Sequence, residues 1–440
     1  MAQIQFRSDD TTTWAPRFGD GSDGALTISL DTTDAVANTS CSGNLSSNTL
    51  TVGSATGFSN NDLVLIHQTR NGGDTAGDWM LNKISSGEGT TTWTMTYALS
   101  KNFATTAQVY LLNQYSSVTI DSTKTLTARA WNGSSGGILA LLCNGTTAIN
   151  GTLNLVAKGY RGGIGTAGVE GYQGEGTAGA GSSGVNTANG NGSGTGGYQP
   201  GGGALGDGGG TSGDAALTIA TFGGGSGGVN ESRAGKIGGG FLLIIAPTIT
   251  VDNGTGTIDV DGTDGETGNN PADTAPTGGS AGGSALFKGV TISLGTNRVT
   301  AIAGASSSNG SSNTRGSGGG GHAASGSAGG TGTGGAGSAG RIHADYQGSI
   351  SGTTTPTLDS RQDTSLSTST STSTTSTSSS TSTSRTTSTS TTVSVTTSTS
   401  TTSTSRSTST TTTSTSTTST STSTTSTSTT IDLTFSIELI

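Results

Sequence analysis

The chain is short of almost everything from which a large conventional core is made. Of its 440 residues, 28% are hydrophobic, 10% charged and 4% aromatic, where an ordinary globular domain is roughly 45–50% apolar on a similar count. One large conventional core is therefore not expected, and compact β-modules with long glycine-rich loops are expected instead. The net charge of −9 excludes nucleic acid and anionic membrane as main partners, because both need a basic face. The longest apolar run, FLLIIA at Phe241–Ala246, is the length of a strand and too short to span a bilayer. The start, MAQIQFRSDDTTTW, has no basic segment followed by an apolar stretch and so does not read as a signal peptide. There are two cysteines, Cys41 and Cys143, and no CxxC. They read as buried small hydrophobes, with a Cys41–Cys143 disulfide as the alternative that a secreted protein would favour.

Helix signals are also missing. No long segment repeats apolar residues at i, i+3, i+4 and i+7 with good helix formers between them. Short alternating runs recur instead: ALTISL at 25–30, TLTV at 49–52, DLVLIHQ at 62–68, TTWTMTY at 91–97, AQVYLL at 107–112, SVTI at 117–120 and TLTARAW at 125–131. Turn residues separate them, which is the spacing of an all-β protein.

What the chain has in abundance is glycine, 77 residues of it. Past residue 131 it frames a loose repeat. The copies read GGILALLCNGTTAINGTLNLVAKGYRGG (136–163), GGGFLLIIAPTITVDNGTGTIDVDGTDG (238–265), GGSALFKGVTISLGTNRVTAIAGAS (282–306) and, degenerate, AGRIHADYQGSISG (339–352). Each copy enters from glycine, runs a strand, turns, adds shorter strands and leaves into glycine. Such units bury a face only by stacking on one another, so a β-sandwich or a solenoid-like β-structure is expected. Between them lie glycine stretches such as GGYQPGGGALGDGGGTSGD. These are read as ordered, with polyglycine segments of the polyproline II type stacking closely, and the plain alternative is flexible surface loops.

Composition then breaks. Residues 367–430 are Ser or Thr at every position except Arg385, Val393, Val395 and Arg406. No core can form there. The tract reads as an extended tether and a platform for O-linked glycans, able to reach on the order of 200 Å. After it, IDLTFSIELI alternates cleanly, with Ile431, Leu433, Phe435, Ile437 and Leu439 on one face. That is a half-buried strand, and five apolar side chains left in water would be an aggregation hazard. The expected organisation is a β-domain over 1–130, a glycine-rich β-repeat domain over 131–358, a linker over 359–430 and a C-terminal donor strand over 431–440.

The catalytic inventory is thin. His67, His322 and His343 are the only histidines, and each reads as structural or solvent-exposed. GIGTAG at 163–168 and GGSAG at 278–282 match a dinucleotide-binding and a nucleophile motif in form only, without the strand-to-helix context that either chemistry requires. Asp259, Asp261, Asp264 and Glu266 crowd a glycine-rich turn in DVDGTDGE. Calcium takes several hard oxygens from a chain that can bend around it, so these four are the candidate metal ligands. The plain alternative is a turn that uses Asp and Gly for backbone geometry. No other cofactor is implied, and an enzyme is not expected.

The block GDWMLNKISSGEGTTTWTMTYALSKNFATTAQVYLLNQYSSVTI, followed by TLTARAWNGSSGGILALL and INGTLNLVAKGYRGG, resembles a group of glycine-rich β-proteins of bacteria and phages. The resemblance covers about residues 50–165, with weaker echoes to 352. It implies a surface or extracellular structural role and brings no active-site residues. The Ser/Thr tract and last strand resemble the tail of donor-strand pilus-type subunits, although chaperone–usher pili donate an N-terminal strand. The reading is a homo-oligomeric extracellular filament built by head-to-tail strand donation; the alternative is a phage tail-fibre or adhesin protein that binds glycans.

Overall fold

The computed structural model describes residues 18–71, 75–165, 171–179, 206–229, 233–267, 275–308 and 316–362. Every regular element among them is a β-strand. The chain opens with β1 (Ala25–Ile28) and β2 (Thr32–Thr33), which form the first turn of a parallel solenoid. It then leaves to build a barrel from β3 (Asn38–Gly43), β4 (Thr49–Val52), β5 (Leu63–Gln68), β6 (Trp79–Ser86), β7 (Thr92–Met95) and β8 (Phe103–Leu112). These six antiparallel strands close in the order β3-β4-β7-β6-β5-β8.

The chain returns to the solenoid at β9 (Gln114–Tyr115), β10 (Ser117–Ile120) and β11 (Thr125–Thr127). Further turns are β12 (Ile138–Cys143), β13 (Thr146–Ile149) and β14 (Thr152–Asn154), then β15 (Phe241–Ile245), β16 (Thr248–Val251) and β17 (Thr257–Asp259). The long bent strands β18 (Ser284–Thr300) and β19 (Arg341–Thr355) each make a whole turn, and β20 (Asp359–Gln362) starts another.

Period-2 alternation explains why the turns stack. On one side of the solenoid Leu139, Leu242, Ala285 and Ile342 pair in register, as do Leu141, Ile244, Phe287 and Ala344. On the second side Ile28, Ile120, Ile149 and Val251 form a ladder. On the third, Leu126, Leu153, Ile258 and Val299 do. All of these side chains are buried. A single turn could not shield them; its neighbours above and below do.

The intervening side chains of the first side point outward. Ile138, Leu142, Phe241, Leu243, Ile245 and Leu286 pack against Leu63, Leu65, Trp79, Leu81 and Tyr110 of the barrel. The barrel is therefore an insertion seated on the solenoid. The boundary expected at residue 130 falls inside a solenoid turn, because β1 and β2 pair with β10 and β11 across the whole inserted barrel. Of the two architectures expected, the solenoid is the one formed.

Among the described residues the glycine-rich segments are hydrogen-bonded to one another. Along residues 223–229, Gly223, Ser226 and Val229 donate their amides to Gly239, Lys236 and Arg233. Gly224 and Gly227 donate to Gly321 and Gly318, and Gly225 and Gly228 to Glu175 and Tyr172. The partner changes with each residue and recurs every third. That is the signature of an extended helix with three residues per turn and no internal hydrogen bonds. Such a helix presents three donors and three acceptors per turn, so it can bond to six neighbours. The segment 275–283 does so. It donates to 263–266, 335–338 and Gly224, and it accepts from Gly304, Gly239 and the segment 317–320. Glycine is required for the spacing: a Cβ on Gly162 would lie 1.9 Å from the Gly235 carbonyl oxygen.

Candidate functional site

The four acidic residues singled out in DVDGTDGE fall at the end of β17 and on the extended segment that follows it. Three residues per turn place Asp261 and Asp264 on one side, where they act as rungs. The Asp261 Oδ1 accepts the Ile302 amide at 2.5 Å, and the Asp264 Oδ1 accepts the Ala305 amide at 2.7 Å. Asp259 accepts the Asp261 amide at 3.1 Å. Glu266 is drawn away to Lys236 at 2.9 Å and Arg233 at 3.6 Å. The four do not converge, and among the described residues no group of three or more His, Cys, Asp or Glu is arranged to hold a metal. Partial burial pushes the Asp261 carboxyl up to about 7, with the Asp259 charge beside it adding to the effect.

Cys41 lies in the barrel core and Cys143 inside the solenoid. Both are free thiols and buried, so the disulfide alternative does not form: the two residues belong to separate cores. Burial raises both thiols above their ordinary range. Ile431, Leu433, Phe435, Ile437 and Leu439 lie outside the described residues.

The histidines are structural, as their isolation in the sequence suggested. His67 stacks between Phe222 and Phe241, bonds the Ala220 carbonyl at 2.7 Å, and is held down to about 4 by burial. His322 bonds the Gly282 carbonyl at 2.9 Å. Burial first, and then the neighbouring Arg341 charge, lowers it to about 3. His343 belongs to a charged cluster at the end of the solenoid. There Asp345 contacts Lys288, His343 at 3.3 Å and Arg361 at 3.0 Å. Burial alone would raise Asp345, yet these partners hold it well below the usual carboxylate range.

A second buried charge ties the three substructures together. Glu175, on the glycine lattice, pairs with Arg70 of the barrel at 3.1 Å and Arg161 of the lattice at 2.9 Å. It also accepts the indole N–H of Trp131, from a solenoid turn, at 3.0 Å. Nothing in the sequence singles out Glu175, because its partners lie far apart along the chain.

Beside this joint opens a polar cleft of about 750 Å³. Asn71, Thr75 and Ala76 come from the barrel, Thr177 from the lattice, Thr211, Ser212 and Ile219 from the segment between lattice and solenoid, and Arg341 from the start of β19. The Asn71 amide donates to the Thr177 carbonyl at 2.6 Å, and the Ala76 amide donates to Asn71 Oδ1 at 2.7 Å, which ties Asn71 to both. A second trough of about 580 Å³ runs over the barrel between Ser42, Asn44, Thr49, Thr51 and Asn102. Both surfaces offer hydroxyls and amides in concave form. That is the donor and acceptor set that a polyhydroxylated ligand requires.

No protein-family model matches the chain, and no curated protein is similar to it. Among solved structures, the chain is similar to the tailspike gp61 of Pseudomonas phage phi297 at 11% identity and a TM-score of 0.19, over 75% of this chain and 52% of that one. It is similar to the Gp54 tailspike of Acinetobacter baumannii bacteriophage AP22, solved in complex with A. baumannii capsular saccharide, at 7% identity and a TM-score of 0.17, over 78% and 60% of the two chains. The chain thus spans between half and two-thirds of the length of these proteins, and superpositions this loose carry no argument about function.

Proposed function

We propose that the chain is a structural adhesion protein of an extracellular or particle surface, and that it holds glycans in the polar cleft between barrel, lattice and solenoid. The observation that carries this reading is the cleft itself. Rigid elements from three substructures converge on it, and it is lined with hydroxyls, an amide and one guanidinium. A site whose walls are already hydrogen-bonded in place binds with little ordering cost. The test is a glycan array probed with the complete protein. Binding that Thr211→Trp abolishes, by filling the cleft, supports the reading; binding indifferent to that change, or none, refutes it.

A second reading, a filament built by strand donation, is favoured by the edges of the solenoid. Among the described residues β20 pairs with β19 alone, and β1 pairs with β10 alone. An open edge offers a row of backbone donors and acceptors to an incoming strand. The strand Ile431–Leu439 of a neighbouring copy, carried on an O-glycosylated Ser/Thr tether, would make a head-to-tail contact that propagates. Deleting residues 431–440 should then leave subunits that do not polymerise and that bind added IDLTFSIELI peptide. Filaments of unchanged diameter from the truncated protein would dismiss this mechanism.

A further inference from the structure

We infer that the Arg341 end of this cleft receives a carboxylate, so that the ligand is an acidic glycan bearing uronic or sialic residues. The inference rests on the glycan reading above. Several cations of the chain are neutralised by its own carboxylates. Arg70 and Arg161 share Glu175, Lys288 and Arg361 share Asp345, Arg233 and Lys236 share Glu266, and Lys101 pairs with Asp78. Arg341 is half-buried and, like Lys83, Lys124, Lys158 and Arg298, has no carboxylate within ion-pair distance among the described residues; unlike those four it lines the cleft.

Its guanidinium is nevertheless held firmly. Nε and Nη2 donate to the Ser212 carbonyl at 3.3 and 3.1 Å, and Nη2 also reaches the Gly213 carbonyl at 3.4 Å. Those bonds use one side of the planar fork. Nη1 has no acceptor among the described residues. The Asp214 charge reaches Arg341 and offsets part of the cost of its burial, but its carboxylate makes its hydrogen bonds within its own turn: Oδ1 takes the Thr218 amide at 2.9 Å, and Oδ2 takes the Ile219 amide at 3.1 Å and the Thr218 hydroxyl. His322, close enough to feel the Arg341 charge, is neutral and supplies no counter-charge.

The cleft therefore carries a positioned, partly desolvated cation with an unused donor edge. Burial without an ion pair is unfavourable for a charge, and a ligand carboxylate relieves it. A guanidinium matches a carboxylate in shape and can hold it through two hydrogen bonds. One cation balances one carboxylate and would leave a phosphate dianion half neutralised. The hydroxyls of Thr75 and Thr211, both exposed, lie where the sugar ring would follow its acid group.

The test uses the complete protein and an array of oligosaccharides containing galacturonate, glucuronate or sialate, each beside its methyl ester. The ester keeps the sugar and removes the charge. At least one acid should bind at least tenfold more tightly than its ester, with affinity falling as salt rises. Arg341→Gln should erase that preference, and Arg341→Lys should restore part of it. Thr211→Asp, next to Ser212, brings a carboxylate of the protein's own into the cleft and should weaken acid binding while leaving the melting temperature in place. This second variant keeps the test sharp if Arg341→Gln fails to fold. If acids and esters bind alike, the acidic-glycan inference is wrong while the glycan reading stands. If only neutral oligosaccharides on the general glycan array bind, the acidic-glycan inference is likewise wrong while the glycan reading stands; if no glycan on either array binds, both fall.

Discussion

Replacing Gly320 with alanine should be among the most damaging single-methyl changes in the molecule. A Cβ at that position would sit 2.0 Å from the Gly224 carbonyl oxygen and 2.7 Å from its carbon. Both atoms are backbone, so no side chain can swing aside. Restoring ordinary contact requires the two segments to part by about an ångström or more. Three hydrogen bonds cross that region: Ala281 N to Gly224 O at 2.9 Å, Gly224 N to Gly321 O at 3.2 Å and Gly320 N to Gly279 O at 3.0 Å. A buried backbone group left without a partner costs about 1–3 kcal/mol. Losing two of the three bonds gives a destabilisation of about 2–6 kcal/mol. Gly24→Ala is the control. Its Cβ would meet nothing within 4 Å, but its φ of +72° carries left-handed strain, worth about 1–2 kcal/mol. Urea unfolding of the complete protein, followed by tryptophan fluorescence, measures both. If Gly320→Ala costs no more than Gly24→Ala, the extended segments are not packed at this spacing and the lattice argument fails.

Other outcomes follow from the charged groups. Folded Asp261 titrates at about 7 against an ordinary 3.8; between those values the folded state keeps a proton that the unfolded chain releases. Its contribution to stability therefore falls as pH rises from about 4 to 7, and Asp261→Asn should flatten that part of the melting-temperature profile. His67 and His322 act in the opposite sense, since they stay neutral down to about 4 and about 3. As pH falls below 6.5 the unfolded chain gains protons that the folded state refuses, and stability drops; His67→Gln should remove about half of that slope. Asp345→Asn removes the carboxylate charge that the buried Lys288 contacts and should cost about 3–5 kcal/mol, whereas Lys288→Met combined with Asp345→Leu should cost less in the same unfolding assay. Chelation with EDTA should leave the melting temperature unchanged, because Asp259, Asp261, Asp264 and Glu266 already have protein partners; a drop of several degrees would restore the calcium reading.

Much of the solenoid was legible in the sequence. The four glycine-framed repeats correspond to four successive turns, β12–β14, β15–β17, β18 and β19, and their alternation marks which side chains face inward. Two features were hidden for physical reasons. ALTISL and SVTI look like neighbours of whatever stands next to them, yet they pair with each other across an inserted barrel. Alternation names the buried face and is silent on the partner. Polyproline II-type stacking of the glycine segments was one of two readings the sequence left open, beside flexible loops; among the described residues the segments do stack, and the sequence did not name their neighbours. Every amide looks alike in sequence, and only the stacking of the solenoid turns brings 275–283 against six other segments. The candidate site was least legible. Arg341 sits in AGRIHAD like any strand residue, and what distinguishes it is its place in the wall of the cleft. That place is a property of the assembled fold.

The central claim is that the glycines are scaffold, holding barrel and solenoid in place so that the cleft between them is preformed. Amide hydrogen exchange on the native protein tests it directly. The hydrogen-bonded amides of Gly223–Val229 and of the segment 275–283 should exchange orders of magnitude more slowly than unstructured glycine, with protection close to that of the solenoid strand β15. Exchange of these amides at intrinsic rates, alongside a protected β15, would show the stretches to be loose loops and would contradict the account.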